Sequence, residues 1–159
     1  MAKYHKSMLL QNLTIFCSGA IATFAIPPLS IFIFIFALGL GIYLITLSTS
    51  MKKTFLSGWF LGFGWFSFGL YWIGSAFLVD DTYHKVLIPF AVVVLPFLLS
   101  IFWGFACVIA RLLTKKNNSS MFLTIVFLTL FEYLRAKLFS GFPWLMPSIV
   151  LSSNEYLIQ

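Results

Sequence analysis

Apolar stretches long enough to cross a lipid bilayer occupy most of this chain, and short polar breaks separate them. A helix needs about 18 to 20 consecutive apolar residues to span a hydrocarbon core of about 30 Å. Cutting the chain at its polar breaks predicts five spans, at residues 8–26, 29–47, 54–79, 86–110 and 121–139. We therefore expect an all-α integral membrane protein, a bundle of about five transmembrane helices, with residues 140–159 as a short segment beyond it.

The composition supports a membrane protein and excludes several other classes. Hydrophobic residues make up 61% of the 159 and charged residues only 9%, too few to cover a soluble domain with polar surface. The net charge of +6 comes from short clusters between apolar runs, whereas nucleic-acid binding needs a basic face. No nucleic-acid partner, metal or cofactor is expected.

The basic residues predict the orientation. They fall before the first, third and fifth spans, at Lys3, Lys6, Lys52, Lys53, Arg111, Lys115 and Lys116. Because cytoplasmic loops carry an excess of Lys and Arg, we expect a cytoplasmic N-terminus and an outward-facing segment after the fifth span. The first span could alternatively be a signal peptide, with Ala20-Ile21-Ala22 as its cleavage site. Its apolar run continues to Ile26, which favours a retained helix.

The third predicted span is rich in glycine and aromatic residues. Gly58 and Gly62 form a GxxxG motif, and Gly69 follows on a nearby face. Small residues let a second helix approach closely, so helix packing is one interpretation. The other is that the neighbouring aromatic residues line a groove for an acyl chain: Trp59, Trp65, Tyr71 and Trp72.

The fifth predicted span contains a charged pair. Glu132 is placed just beyond the bilayer midplane, where an isolated acid would cost about 3 kcal/mol. Arg135 lies at i+3 on the same face and can extend outward with Lys137 toward the headgroups. Two interpretations stay open, a self-contained structural ion pair and a substrate-facing site.

A rigid aromatic corner follows this helix. Gly141 can end the helix, Pro143 restricts the turn, and Phe142 and Trp144 fall at the depth of an interfacial aromatic belt. A plain belt anchor is the alternative role for Trp144.

No catalytic motif is present. The sequence has no P-loop, no metal-binding His pair and no nucleophile elbow. Cys17 and Cys107 lie in apolar stretches without a neighbouring base, so we expect small buried residues. Asp80, Asp81 and His84 could form an acid–base cluster, but charges in a solvated loop are the simpler explanation.

Two segments resemble the apolipoprotein N-acyltransferase family, bacterial inner-membrane enzymes that complete lipoprotein acylation. They are SGWFLGFGWFSFGLYWI, residues 57–73, and FEYLRAKLFSGFPW, residues 131–144, which is similar to the family's Glu-aromatic-Leu-Arg and Gly-Phe-Pro-Trp signature. The resemblance covers only the N-terminal membrane part of the family. Ala136, Lys137 and the Leu145-Met146-Pro147 run depart from its usual pattern, which leaves the course of the chain after the corner open.

The resemblance implies a role in a larger reaction. The family moves an acyl group from a phospholipid to a cysteine as a thioester, then to the α-amine of a diacylglyceryl apolipoprotein. Its Glu, Lys and Cys lie in a nitrilase-like domain beyond the residues matched here. We therefore expect a truncated or split module that is inactive alone, with a separate catalytic chain as a possible partner. Residues 141–144 would form the rim of a lipid cleft, and Glu132 and Arg135 would be positioning charges.

Two alternatives come from other classes. The first is a free-standing small membrane protein that assembles through its GxxxG face. The second, a minor one, is the related membrane region attached to polyprenol-phosphate mannosyltransferases, although no glycosyltransferase residues are present.

Overall fold

The computed structural model describes residues 2–78, 84–114, 120–138 and 145–153, and the described residues are helical with no β-strand. Six α-helices run through them: α1 (Ala2–Ala22), α2 (Phe36–Thr46), α3 (Met51–Gly69), the short α4 (Ile73–Ala76), α5 (Leu95–Leu113) and α6 (Ser120–Leu138). Tighter 3₁₀ turns cover Thr23–Ala25, Phe32–Ile35, His84–Leu87 and Pro147–Ser153, and a π-helical turn covers Phe90–Val94.

Helix α3 is the centre of the bundle. It packs against α1 on one side and α5 on the other, while α6 packs against α5 and α2 against α1. Fewer contacts join α2 to α6, where the bundle closes on itself. The largest fully buried side chains include Trp65, Phe66 and Leu61 of α3 together with Trp103 and Leu99 of α5. The core therefore lies along the α3–α5 contact.

Local chemistry explains where several helices start and stop. The Ser50 side chain accepts a hydrogen bond from the Lys53 backbone N–H at 3.4 Å, which caps the N-terminus of α3. Arg111, in the last turn of α5, donates to the Ser48 carbonyl and to Thr54 Oγ1, and so ties α5 to the α2–α3 connection. Pro27 and Pro28 separate α1 from α2, because proline cannot continue a helix.

The predicted third span differs from the structure. Helix α3 ends at Gly69, and residues 70–72 turn before the four-residue α4, so residues 54–79 do not form one continuous helix. The last helical residue is Gly69, a poor helix former, and hydropathy does not register this stop because the apolar run continues past it. The second predicted span is likewise divided between a 3₁₀ turn and α2.

The outer surface is strongly apolar. Large hydrophobic side chains are exposed on all of the long helices, with Leu9, Phe36 and Phe122 each more than 65% exposed. Two segments, Met8–Ala25 and Lys85–Leu113, are long and apolar enough to cross a membrane. Such a surface fits a protein whose exterior faces lipid.

Candidate functional site: a buried charged cluster and two apolar clefts

Glu132 and Arg135 form a buried ion pair on α6. Arg135 Nη2 lies 2.6 Å from Glu132 Oε2, and Arg135 Nε donates to Glu132 Oε1 at 3.2 Å. Arg135 is fully buried and Glu132 is only 4% exposed. The two-point contact matches the planar guanidinium to the carboxylate, which is the strong form of this interaction.

Two aromatic residues from other helices complete the cluster. Trp103 of α5 donates its indole N–H to Glu132 Oε1 at 2.7 Å. The guanidinium of Arg135 lies over the ring of Phe66 of α3, 5.2 Å from its centroid. Phe66 and Trp103 contact each other edge to face, with centroids 5.5 Å apart. We call these four residues the charged cluster, and through them α6 is joined to both α3 and α5.

Of the two directions that the sequence permits for Arg135, the structure has the inward one. The side chain does not extend outward with Lys137; it folds back onto Glu132, because carboxylate and aromatic partners are within reach inside the bundle. Lys137 is exposed, and its ammonium lies 5.6 Å from the Tyr133 ring centroid. The structural ion pair is thus present, and Glu132 also borders a cleft.

That cleft, the α2–α6 cleft, has a volume of about 550 Å³. Its lining is mostly apolar and includes Ile35, Gly39 and Ile42 from the side of α2. Glu132 and Thr129 of α6 are among its few polar residues. An apolar cleft with a small number of polar groups is typical of a ligand site.

A second cleft lies on the other side of the Pro147–Ser153 turn. This α1–α3 cleft has a volume of about 640 Å³ and is lined by the Pro27-Pro28 turn and by the end of α3 with Tyr71 and Trp72. Both clefts fall within the range of about 300 to 1,000 Å³ usual for small-molecule sites. Of the four aromatic residues considered for a groove, Tyr71 and Trp72 thus line one, whereas Trp65 is buried in the core.

Residues 145–151 separate the two clefts, and we call them the dividing segment. Leu145 and Ile149 face the α1–α3 cleft, whereas Met146, Pro147, Ser148, Val150 and Leu151 face the α2–α6 cleft. Val150 is 2% exposed and belongs to the core. The same short segment therefore shapes both clefts.

The glycines of α3 lie against other parts of the same chain. A Cβ at Gly58 would come within 2.9 Å of the Trp103 carbonyl oxygen, and one at Gly62 within 3.2 Å of Ser100 Cα. Both glycines thus let α5 approach closely. Assembly with another chain through GxxxG would require this face, and α5 already covers it. Gly69 lies against Leu145 instead.

Sequence reasoning missed several residues that organise the bundle. Gly64 packs so closely on α1 that a Cβ would lie 2.1 Å from the Phe16 carbonyl oxygen, and Gly19 faces Leu61 in the same way. Their pairing depends on how α1 crosses α3, which no local spacing reveals. Nothing in the sequence around Trp103, apart from its aromatic character, indicates that it contacts Glu132.

Some predicted site residues lie outside the described residues. These are Gly141, Phe142, Pro143 and Trp144, together with Asp80 and Asp81. In the part that is described, no group of three or more His, Cys, Asp or Glu side chains could hold a metal ion. Cys107 is buried against Gly58 as expected, whereas the expectation was wrong for Cys17, which is exposed on α1.

Comparisons with known proteins agree on one family. Residues 18–159 match the family described as "Apolipoprotein N-acyltransferase N-terminal domain". Proteins named apolipoprotein N-acyltransferase include one from Brucella melitensis, 38% identical over 144 residues that cover 84% of this chain and 27% of that protein. The Rhodopseudomonas palustris protein of that name is 36% identical over 133 residues, 80% of this chain and 25% of its own.

The matches cover most of this chain but only part of each relative. The chain spans about a quarter of the length of the curated relatives it matches. The match to the family nevertheless covers all of α2 to α6, both clefts and the charged cluster. The chain belongs to the apolipoprotein N-acyltransferase family and corresponds to the N-terminal part of its members.

Proposed function

We propose that this chain is the membrane module of an apolipoprotein N-acyltransferase and acts in lipoprotein maturation. The observation that carries the proposal is the family match over residues 18–159. In this role the chain is a multi-pass protein of the bacterial inner membrane with a cytoplasmic N-terminus. The free-standing assembly protein is not retained as a second candidate, because α5 covers the GxxxG face.

The distribution of charge supports this orientation. Lys52, Lys53 and Arg111 lie at one end of the bundle, where Arg111 contacts the α2–α3 connection. An excess of basic residues marks the cytoplasmic end. The end of α3, the Pro27-Pro28 turn and the dividing segment lie at the opposite end, so both clefts would open toward the outer leaflet.

The two clefts suggest how lipid substrates bind. We assign them to acyl chains, one set from the phospholipid donor and one from the diacylglyceryl apolipoprotein. Their linings are apolar, and at about 550 and 640 Å³ they are comparable in size. Residues 141–144 precede the dividing segment directly, which supports their proposed role as the rim of the lipid cleft.

The described residues bind and position, and we assign no covalent step to them. Cys107 lies in the core against Gly58, where a substrate carbonyl has no access, and Cys17 is on the outer face of α1. The family's thioester step needs an activated thiolate. We therefore expect the chain by itself to bind lipid without transferring an acyl group, and a catalytic Glu-Lys-Cys domain to supply the chemistry.

Photolabelling tests the assignment of the clefts. The chain is placed in nanodiscs that contain a phospholipid with a diazirine on one acyl chain, and adducts are mapped by mass spectrometry. We expect adducts to concentrate on poorly exposed cleft residues such as Ile42 and Ile26, and an added diacylglyceryl lipopeptide to reduce them. Phe122 and Leu112, both more than 60% exposed on the outside, are the reference for ordinary lipid contact. Adducts that simply follow exposure would contradict the assignment.

A further inference from the structure

The dividing segment is held by α3 at its first residue. The indole N–H of Trp65 donates to the carbonyl oxygen of Leu145 at 2.9 Å. Trp65 is fully buried with Leu145 in this position. A buried donor without a partner is costly, and the hydrogen bond therefore resists displacement of the segment.

A second contact acts on the side chain of the same residue. A Cβ built on Gly69 would lie 1.9 Å from Leu145 Cδ2, so the Leu145 side chain fills the space that a larger residue at position 69 would need. Trp65 and Gly69 are four residues apart and lie on one face of α3. Together they hold both the backbone and the side chain of Leu145.

The backbone of Leu145 is itself strained. Its φ angle is 46°, in the left-handed region that residues with a Cβ seldom adopt. A residue stays in this conformation only when the surrounding contacts hold it there. Among the described residues, Trp65 and Gly69 provide such contacts.

The same turn of α3 also holds α6. Phe66, next to Trp65, lies under the Arg135 guanidinium, and Trp65 stacks on Trp103 with ring centroids 6.4 Å apart. Trp103 in turn donates to Glu132. Contacts with α3 therefore hold the chain at two places, near the C-terminal end of α6 and again at Leu145.

We propose that Trp65 and Gly69 are positioning residues that set the place of the dividing segment, and through it the shape of both clefts. The proposal rests on the proposed function for its significance, because the clefts matter to the reaction only if they hold substrate. The position of the segment can be measured independently of that function.

The test uses a single reporter cysteine at Ser148, an exposed residue on the α2–α6 side. Cys17 and Cys107 are first replaced by Ser and Ala, and the reaction rate of the reporter with a maleimide is measured in nanodiscs. Trp65→Phe keeps an aromatic ring and removes the N–H. Gly69→Ala places a methyl group against Leu145. Each change should alter the labelling rate by about fivefold, the population shift expected from losing one hydrogen bond or an equivalent contact.

A matched control separates positioning from general effects. Trp59→Phe removes another α3 indole N–H, which donates to the Phe97 carbonyl of α5 at 3.1 Å and not to the dividing segment. This control should not change the labelling rate.

A second-site variant makes the test specific. Leu145→Ala removes the side chain that collides with the methyl group introduced by Gly69→Ala, so the Gly69→Ala, Leu145→Ala double variant should return toward the rate of Leu145→Ala alone. General damage to the fold would not be relieved in this way. Labelling rates unchanged by both Trp65→Phe and Gly69→Ala would overturn the proposal, even if photolabelling still finds lipid in the clefts. A response in labelling without lipid adducts would uphold the positioning role and reject the proposed function.

Discussion

Removing the carboxylate of Glu132 should destabilise the bundle more than removing both members of the ion pair. In Glu132→Leu, the fully buried Arg135 loses its counter-charge at 2.6 Å. Breaking a buried pair from one side costs about 3 to 5 kcal/mol, because one charge remains in an environment of low polarity. The Trp103 N–H loses its acceptor in the same variant.

The double variant Glu132→Leu, Arg135→Met removes both charges. The remaining defect is the Trp103 indole N–H, which then lacks the acceptor that it has at 2.7 Å. An unsatisfied buried donor costs about 1 to 3 kcal/mol. Because both variants leave Trp103 without this acceptor, that defect cancels, and the double variant should be more stable than Glu132→Leu by about 3 to 5 kcal/mol.

Reversible unfolding in mixed micelles with increasing SDS, followed by tryptophan fluorescence, gives the free energies. Lys137→Met is the matched control, since it removes an exposed cation two residues after Arg135 on the same helix. It should change stability by about 0.5 kcal/mol or less. If Glu132→Leu were no less stable than the double variant, Arg135 would have another route to solvent and the reasoning would be refuted.

Two further predictions concern contacts elsewhere in the bundle. Gly64→Ala would place a Cβ 2.1 Å from the Phe16 carbonyl oxygen and should cost about 1 to 3 kcal/mol in the same unfolding assay. Gly39→Ala should not destabilise, because its new Cβ would make only an ordinary contact with Met121 Cε at 3.9 Å. Equal effects would refute the close α1–α3 contact. Arg111→Met removes hydrogen bonds to the Ser48 carbonyl and Thr54 Oγ1, so hydrogen exchange should quicken in the α2–α3 connection and not at the opposite end; unchanged exchange there would show that Arg111 does not hold it.

The helical architecture was largely predictable, because apolar runs and polar breaks report directly on where helices can form. The residues at which the helices end were less predictable. Helix α3 stops at Gly69, and the chain turns at residues 70–72 inside an apolar run. Hydropathy cannot register such an end, since residues 70–78 are as apolar as those before them.

The charged pair was predictable as a pair, and its surroundings were not. The i, i+3 spacing of Glu132 and Arg135 permits an ion pair and equally permits Arg135 to extend outward. The choice depends on Trp103 and Phe66, which reach the pair from two other helices. The hydrogen bond from Trp65 to Leu145 was not predictable either, because its acceptor is a backbone carbonyl, which every residue carries.

The most direct test of the central claim is an acylation assay with a grafted enzyme. This chain would replace the matching quarter of the Brucella melitensis relative, and the conversion of a diacylglyceryl lipoprotein to its N-acylated form would be followed by mass spectrometry. We predict N-acylation by the grafted enzyme and none by this chain alone. A grafted enzyme that inserts, matches the stability of the unmodified relative and transfers no acyl group would contradict the assignment of this chain as the membrane module of an apolipoprotein N-acyltransferase.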